Sequence, residues 1–311
     1  MTDSNEIIAK IRQKDILTIS RVITQVESSI CDELLSNIYK YIGHAYRIGI
    51  TGPPGAGKSS ITNHLIQKFK DLDKSIAVIA VDPTSPFTGG ALLGDRLRMS
   101  EHFSDSNVYI RSMASRGSQG GLSYKAQDAA NVLDCAGFDV IIYETVGVGQ
   151  IELDIMKSSD VVLVTLVPEA GDDIQMMKAG LMEIGNIFII NKSDRSGSNK
   201  LKTAMQQIFS LKPNLNDWEN KIIKTSAINN EGIEVLFDAI NDYYNFYKES
   251  GLKQKAFKER YQQQIGEIIK RDYQKQFWSD KRNKLLDKIL MDDRSKWPSP
   301  IDFAEKLKKH E

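Results

Sequence analysis

Cysteine is scarce in this 311-residue chain: Cys31 and Cys135 are the only two, and no C-x-x-C pair exists. That argues against a disulfide framework and a cysteine-built metal site, and it suits a reducing cytoplasm. Histidine is also thin, with His44, His64, His102 and His310 scattered without metal-ligand spacing. Neither charge sign is in excess, since Lys plus Arg and Asp plus Glu number 41 each, so no net field recruits nucleic acid or a membrane surface. Specificity must then be local. No uncharged apolar run is long enough to span a bilayer, and the opening MTDSNEIIAKIRQKD mixes charges where a secretion signal would place an apolar core. Repeats and low-complexity stretches are also missing. The expectation is a cytoplasmic, soluble protein.

What is present is a rhythm. Apolar residues from Ile7 to Tyr41 fall at helical spacing and predict about two amphipathic helices. Then RIGIT, SIAVIAV, VYIR, DVIIYE, DVVLVTLV, NIFIIN and KIIKTS alternate with helical stretches, the pattern of a mainly parallel α/β sheet wrapped on both faces. After about Tyr247 the strand-like runs stop and helical spacing continues among many charges, broken near Trp297 by Pro298 and Pro300. The expected organisation is a helical extension over 1–45, a nucleotide domain over 46–247 and a helical region over 248–311.

Gly52-Pro53-Pro54-Gly55-Ala56-Gly57-Lys58-Ser59 matches G-x-x-x-x-G-K-[ST] and lies between the strand RIGIT and the helical pattern SSITNHLIQKF. The glycines turn backbone N–H groups inward around a β-phosphate, and Lys58 reaches the β and γ oxygens. The Ser59 hydroxyl is a Mg²⁺ ligand candidate, and Ser60 continues the positive end of the helix. Two further strands end in carboxylates, SIAVIAV at Asp82 and DVIIYE at Glu144. In a parallel sheet those ends face the phosphate crevice, which makes both candidates for the magnesium centre, with Gly147 placed to offer an N–H to the γ-phosphate.

The base is read further on. Asn191-Lys192-Ser193-Asp194 follows one strand and Thr225-Ser226-Ala227 follows the next. The Asp194 carboxylate accepts from the guanine N1–H and its amine together, a donor pair adenine lacks. Sites of that kind reject the wrong analogue by about 10⁴-fold or more. Lys192 lies along the ring in this reading, and the Ala227 backbone donates to the six-oxo group.

Between these motifs lie DPTSPFTGGALLGDRLRM from Asp82 to Met99, IRSMASRG from Ile110 to Gly117 and ETVGVGQ from Glu144 to Gln150. Together they resemble the MeaB/MMAA (ArgK-like) GTPases, G-protein chaperones of adenosylcobalamin-dependent methylmalonyl-CoA mutase and related acyl-CoA mutases. The resemblance covers nearly the whole chain and weakens in the tail. It implies a mainly parallel α/β P-loop GTPase domain of the SIMIBI type between amino- and carboxy-terminal helical extensions, with the carboxy-terminal helices forming a homodimer. It also implies that Asp82, Asp95 and Glu144 serve the magnesium and hydrolytic centre, and that Asp82 to Met99 is a first switch and ETVGVGQIE a second. Gly171 to Gly185 would be a third switch, with Lys178 at its lysine. Ile151, Gln119 and Met176 depart from the family's usual serine, leucine and glycine, which bears on partner signalling more than on nucleotide chemistry. Arg98, Arg111 and Lys178 read equally as switch charges or as solvated surface charges.

The expected reaction is attack of water on the γ-phosphate of GTP, giving GDP and phosphate, with Mg²⁺, Lys58 and backbone donors stabilising charge. Val148 stands four residues after Glu144, where Ras-like proteins carry a water-orienting glutamine. Slow unaided hydrolysis follows, with Asp82 or Asp95 helping to place water or metal and a partner completing the site. The expected partner is the mutase, which alone carries the adenosylcobalamin. Rival readings are a GTPase that delivers a metal, a small-molecule kinase, and a nucleotide-locked interaction module.

Overall fold

In the computed structural model of the protein, residues 4–28, 31–82, 99, 102, 105–114, 121–145, 147, 153–154, 156–168, 180–211 and 217–309 are described. The chain divides into two compact units, residues 1–257 and 258–311.

The first unit is built on seven strands: β1 (Tyr46–Thr51), β2 (Ile76–Asp82), β3 (Val108–Ala114), β4 (Val140–Thr145), β5 (Val161–Leu166), β6 (Ile187–Ile190) and β7 (Lys221–Lys224). All pair in parallel, in the order β3-β2-β4-β1-β5-β6-β7. Each of the seven apolar runs in the sequence is one of these strands. A parallel ladder needs both faces covered, because crossovers must pass over them, and the residues comply. Along β2, Ile76 and Val78 join one apolar core while Ala77, Ile79 and Val81 join the other, the period of two a pleated strand imposes.

Two helices dominate one face. These are α4 (Lys58–Lys70), through Ile61, Leu65, Ile66 and Phe69, and α8 (Ile233–Glu249), through Leu236, Phe237, Ile240 and Tyr243. The other face is covered by α5 (Gly121–Cys135) and α7 (Ser198–Ser210). Over α5 lie three amino-terminal helices, α1 (Ser4–Arg12), α2 (Ile16–Ser28) and α3 (Asp32–Ile38), one more than the apolar spacing predicts. Ile11, Ile19, Ile23 and Ile38 are fully buried there, so the extension belongs to the core of the nucleotide unit. A short helix α6 (Leu181–Ile184) leads into β6. Arg111, which by sequence reads equally as a switch charge or a surface charge, ion-pairs with Glu27 of α2 at 2.6 Å and donates to Thr24. It ties the extension to the edge strand β3.

A buried polar knot fastens the entry to β1. Asp134 at the end of α5 accepts from the backbone N–H groups of Gly43, His44 and Ala45 at 2.8, 3.1 and 3.1 Å. The guanidinium of Arg47 reaches Asp134 at 3.3 Å and Asn131 at 2.8 Å, while Asp160 accepts from the Arg47 N–H and the Tyr247 hydroxyl. Buried charges persist only when paired and hydrogen-bonded in this way.

The division between units falls inside α9 (Leu252–Phe277). The second unit continues with α10 (Asp280–Leu290), capped by the Ser279 side chain, and α11 (Pro300–Lys309), which starts at a proline, the residue best suited to a first helical position.

Candidate functional site

The phosphate loop, Glu144, the 191–194 turn and the 225–227 loop follow or end β1, β4, β6 and β7, and in a parallel sheet those carboxyl ends share one edge. The phosphate loop leaves β1 at Gly52, whose φ is +142° and whose absent Cβ would lie 2.0 Å from the Thr165 carbonyl oxygen on β5. Only glycine fits there. At Gly57, φ is +91° and a Cβ would meet the Asn191 amide at 2.2 Å. The loop is thus pressed between β5 and the β6 turn, and α4 begins directly after it with no acidic residue in its first turn. The amino-terminal N–H groups and dipole of that helix suit an anion. Lys58 is buried, and its ammonium donates to the carbonyls of Gly52 and Pro53 at 2.8 and 3.0 Å, arching over the loop that would receive the phosphates. Pro54, Gly55 and Ser60 are exposed.

Glu144 is the penultimate residue of β4, beside β1 and in register with Ile50. Its two carboxylate oxygens accept from two hydroxyls of α4, Ser59 at 2.5 Å and Thr62 at 2.9 Å. The sequence offers Ser59 and Glu144 as metal-centre residues, and the fold brings them into contact. A hydroxyl beside a carboxylate is a hard-oxygen pair next to a phosphate cradle, which fits Mg²⁺ and does not fit a soft metal. No motif points to Thr62, although it stands one helical turn after Lys58 on the same buried side. Asp82 ends β2, whose register with β4 pairs Val81 with Thr145, so its backbone reaches the same edge; of this residue the backbone alone is described. Gly147 is described, and its carbonyl accepts from Thr51 at 3.2 Å and Thr145 at 3.4 Å, which anchors the chain just after β4 to β1 and β4. Asp95, Arg98, Gln119, Val148, Ile151, Met176 and Lys178 lie outside the described residues.

The turns after β6 and β7, where the sequence places the base-reading motifs, are organised by Asn191. Its amide donates to the Ala56 carbonyl in the phosphate loop at 2.9 Å. Its oxygen accepts from the Thr225 hydroxyl and from the Ala227 N–H, both at 3.1 Å. A buried amide needs such partners, and these lock three segments together. Lys192 follows in the left-handed region, φ +55°, which starts the turn that carries Asp194 forward. Asp194 is exposed, and the Ser226 hydroxyl donates to its Oδ1 at 2.6 Å. That bond, with help from its own backbone N–H, holds the carboxyl below the usual carboxylate range and keeps it an acceptor.

A parallel sheet with a phosphate cradle on β1 and an adjoining guanine-reading turn on β6 and β7 defines the P-loop GTPases. Residues 19–282 match the model of the family described as methylmalonyl Co-A mutase-associated GTPase MeaB, and the chain belongs to that family. A putative GTPase of Pyrococcus abyssi is 44% identical over 270 residues, 85% of this chain and 83% of the relative. The GTPase ArgK of Escherichia coli is 34% identical over 261 residues, 81% of this chain and 79% of the relative. Among solved structures, a LAO/AO transport system kinase superposes with a TM-score of 0.69 at 25% identity, covering 98% of this chain and 96% of that one.

Proposed function

We propose that the protein is a slow, Mg²⁺-dependent GTP hydrolase of the cytoplasm that gates cofactor loading and protection of an adenosylcobalamin-dependent acyl-CoA mutase of the methylmalonyl-CoA type. The observation that carries the reading is the Asn191 clamp. One side chain joins the phosphate loop, through Ala56, to the loop that reads the base, through Thr225 and Ala227. A nucleotide must then satisfy both halves together, which makes phosphate binding conditional on guanine. The family's own description ties such GTPases to methylmalonyl-CoA mutase.

In the mechanism, the loop amides and Lys58 hold the β and γ phosphates, and Asp194 with Ala227 holds the base. Ser59 and Glu144, with Asp82 and Asp95, are the residues that would hold Mg²⁺, which when bound neutralises charge on the phosphate oxygens. Thr62 keeps the Glu144 carboxylate turned toward Ser59. The water-orienting position is filled by Val148, whose side chain neither donates nor accepts, so the chain alone positions water poorly. A partner that supplies the missing group would turn hydrolysis into a timed release, because a ligand shifts an equilibrium only through its different affinity for two states. We also assign the tail from residue 248 onward to homodimer formation.

The test is phosphate release from GTP by the purified protein, with and without a mutase of this class, alongside complex formation under GTP and GDP. Slow basal release, stimulation by the mutase and nucleotide-dependent complex formation are expected. Fast basal turnover indifferent to the mutase would overturn the gating role.

A further inference from the structure

His64 belongs to neither the phosphate motif nor the base motif. It lies in the second turn of α4, half-buried, and its Nε2 is 2.7 Å from the carbonyl oxygen of Ala227. A carbonyl only accepts, so Nε2 carries the hydrogen and the imidazole is the donor.

The acceptor's surroundings give this bond its meaning. In the 225–227 loop, the Thr225 N–H goes to Ile190 and its carbonyl takes the Ser193 N–H. The Ser226 N–H goes to Glu231, and the Ser226 carbonyl takes the N–H groups of Asn229 and Glu231. Those are backbone bonds made by the loop and its neighbouring turns. Ala227 differs, because both of its backbone groups are held by side chains from elsewhere: its N–H by Asn191 and its carbonyl by His64. Both tethers lead back to the phosphate cradle, Asn191 through Ala56 and His64 through the helix that starts at Lys58.

We propose that His64 is a positioning residue for recognition of the purine six-oxo group. Resting on the guanine-reading assignment, it holds the Ala227 backbone from the carbonyl side so that the N–H across the same Cα is aimed at that oxygen. An N–H already shared with Asn191 reads a second acceptor only if its direction is fixed, and His64 fixes it from a helix that the phosphates themselves anchor. Reading of the six-position is thereby coupled to occupancy of the cradle.

The experiment compares affinities of GDP, the diphosphate of 2-aminopurine riboside and ADP for the full chain and its variants. The 2-aminopurine nucleotide keeps the amine but lacks both the six-oxo oxygen and the N1–H, so it binds more weakly than GDP from the start, and what is read is the change of each affinity between wild type and variant. Losing one partly buried hydrogen bond corresponds to about a five- to tenfold change in affinity. His64→Ala is expected to weaken GDP by that factor and to leave the 2-aminopurine nucleotide unchanged. His64→Gln, whose terminal amide reaches about as far as Nε2, is expected to restore the wild-type ratio. His64→Leu fills the space without a donor and is expected to behave as His64→Ala, which keeps the test available if the smaller residue impairs folding. A wild-type ratio in His64→Leu, or an equal loss for both purines with a lowered melting temperature, overturns the positioning role. Wild-type protein that binds ADP as tightly as GDP instead removes the guanine reading on which the role rests, and that outcome is seen before any variant is made.

Discussion

Asp194 stands exposed on the turn after β6, and in the proposed guanine reading its power to discriminate comes from being an acceptor where guanine offers two donors. Changing Asp194→Asn replaces one acceptor oxygen by an amide donor, while xanthine replaces the guanine amine by a carbonyl. GDP affinity is expected to fall by about a hundredfold or more and the preference to move toward xanthosine diphosphate, measured as the ratio of the two affinities. Ser226 governs the same carboxylate through protonation. Its hydroxyl lowers the Asp194 pKa below the ordinary 3.8, so the bond stabilises the fold above that value. The contribution is lost as pH falls through the depressed folded value. Ser226→Ala should raise the carboxyl pKa toward 3.8, which a carbon-detected NMR titration of Asp194 reads directly; an unchanged titration would dissociate the serine from the aspartate. Both residues are legible in the sequence because the motif names them. His64 and Thr62 are not, since each acts on an atom more than eighty residues away, and helix periodicity says which side a residue occupies without saying what waits there.

At the scale of elements, the seven strands can be read because a parallel sheet covered on both faces demands unbroken apolar runs, and unbroken runs are hard to mistake. The crossing order cannot, and it is the order that sets Glu144 beside the phosphate loop and places β5 between β1 and β6. Asn191 shows the consequence: the motif identifies it, yet its bond to Ala56 exists only because the loop after β1 leans across β5. The amino-terminal extension is legible as helices and illegible as core, because the charged partners that bind it, Asp134 and Arg111, sit far off in sequence on α5 and β3. Asp134 is the sharper test. Replacing it by Ala leaves the buried Ala45 N–H and the part-buried N–H groups of Gly43 and His44 without their acceptor, and leaves the Arg47 guanidinium with Asn131 but without its ion-pair partner. Breaking a buried pair in that way costs about 3–5 kcal/mol. Urea unfolding should show that loss in the midpoint, whereas a loss below about 1 kcal/mol would mean that water or Asn131 replaces the carboxylate.

Across the whole molecule, apolar burial is distributed very unevenly between the two units. Both hydrophobic cores lie within the first 257 residues, while α9 and α10 contain no buried residue and only Phe303 and Leu307 of α11 are buried. Along α9, Tyr261, Ile265, Ile269 and Tyr273 recur every four residues, and all four are exposed. Residues four apart share one face of a helix, so these make a continuous apolar stripe. An exposed stripe of that length is a cost in water unless another surface covers it, and a second copy of the same helix presents a self-complementary one. Light scattering of the full chain should therefore report twice the chain mass, and Ile269→Glu with Tyr273→Glu should reduce it to one. Because the nucleotide unit carries its own cores, the double variant should bind GDP as the wild type does and melt at the same temperature on that unit's transition. A variant that stays dimeric would place the self-association elsewhere. One that loses GDP binding along with the dimer would mean that the stripe serves the nucleotide site, and the two units would have to be treated as one cooperative structure.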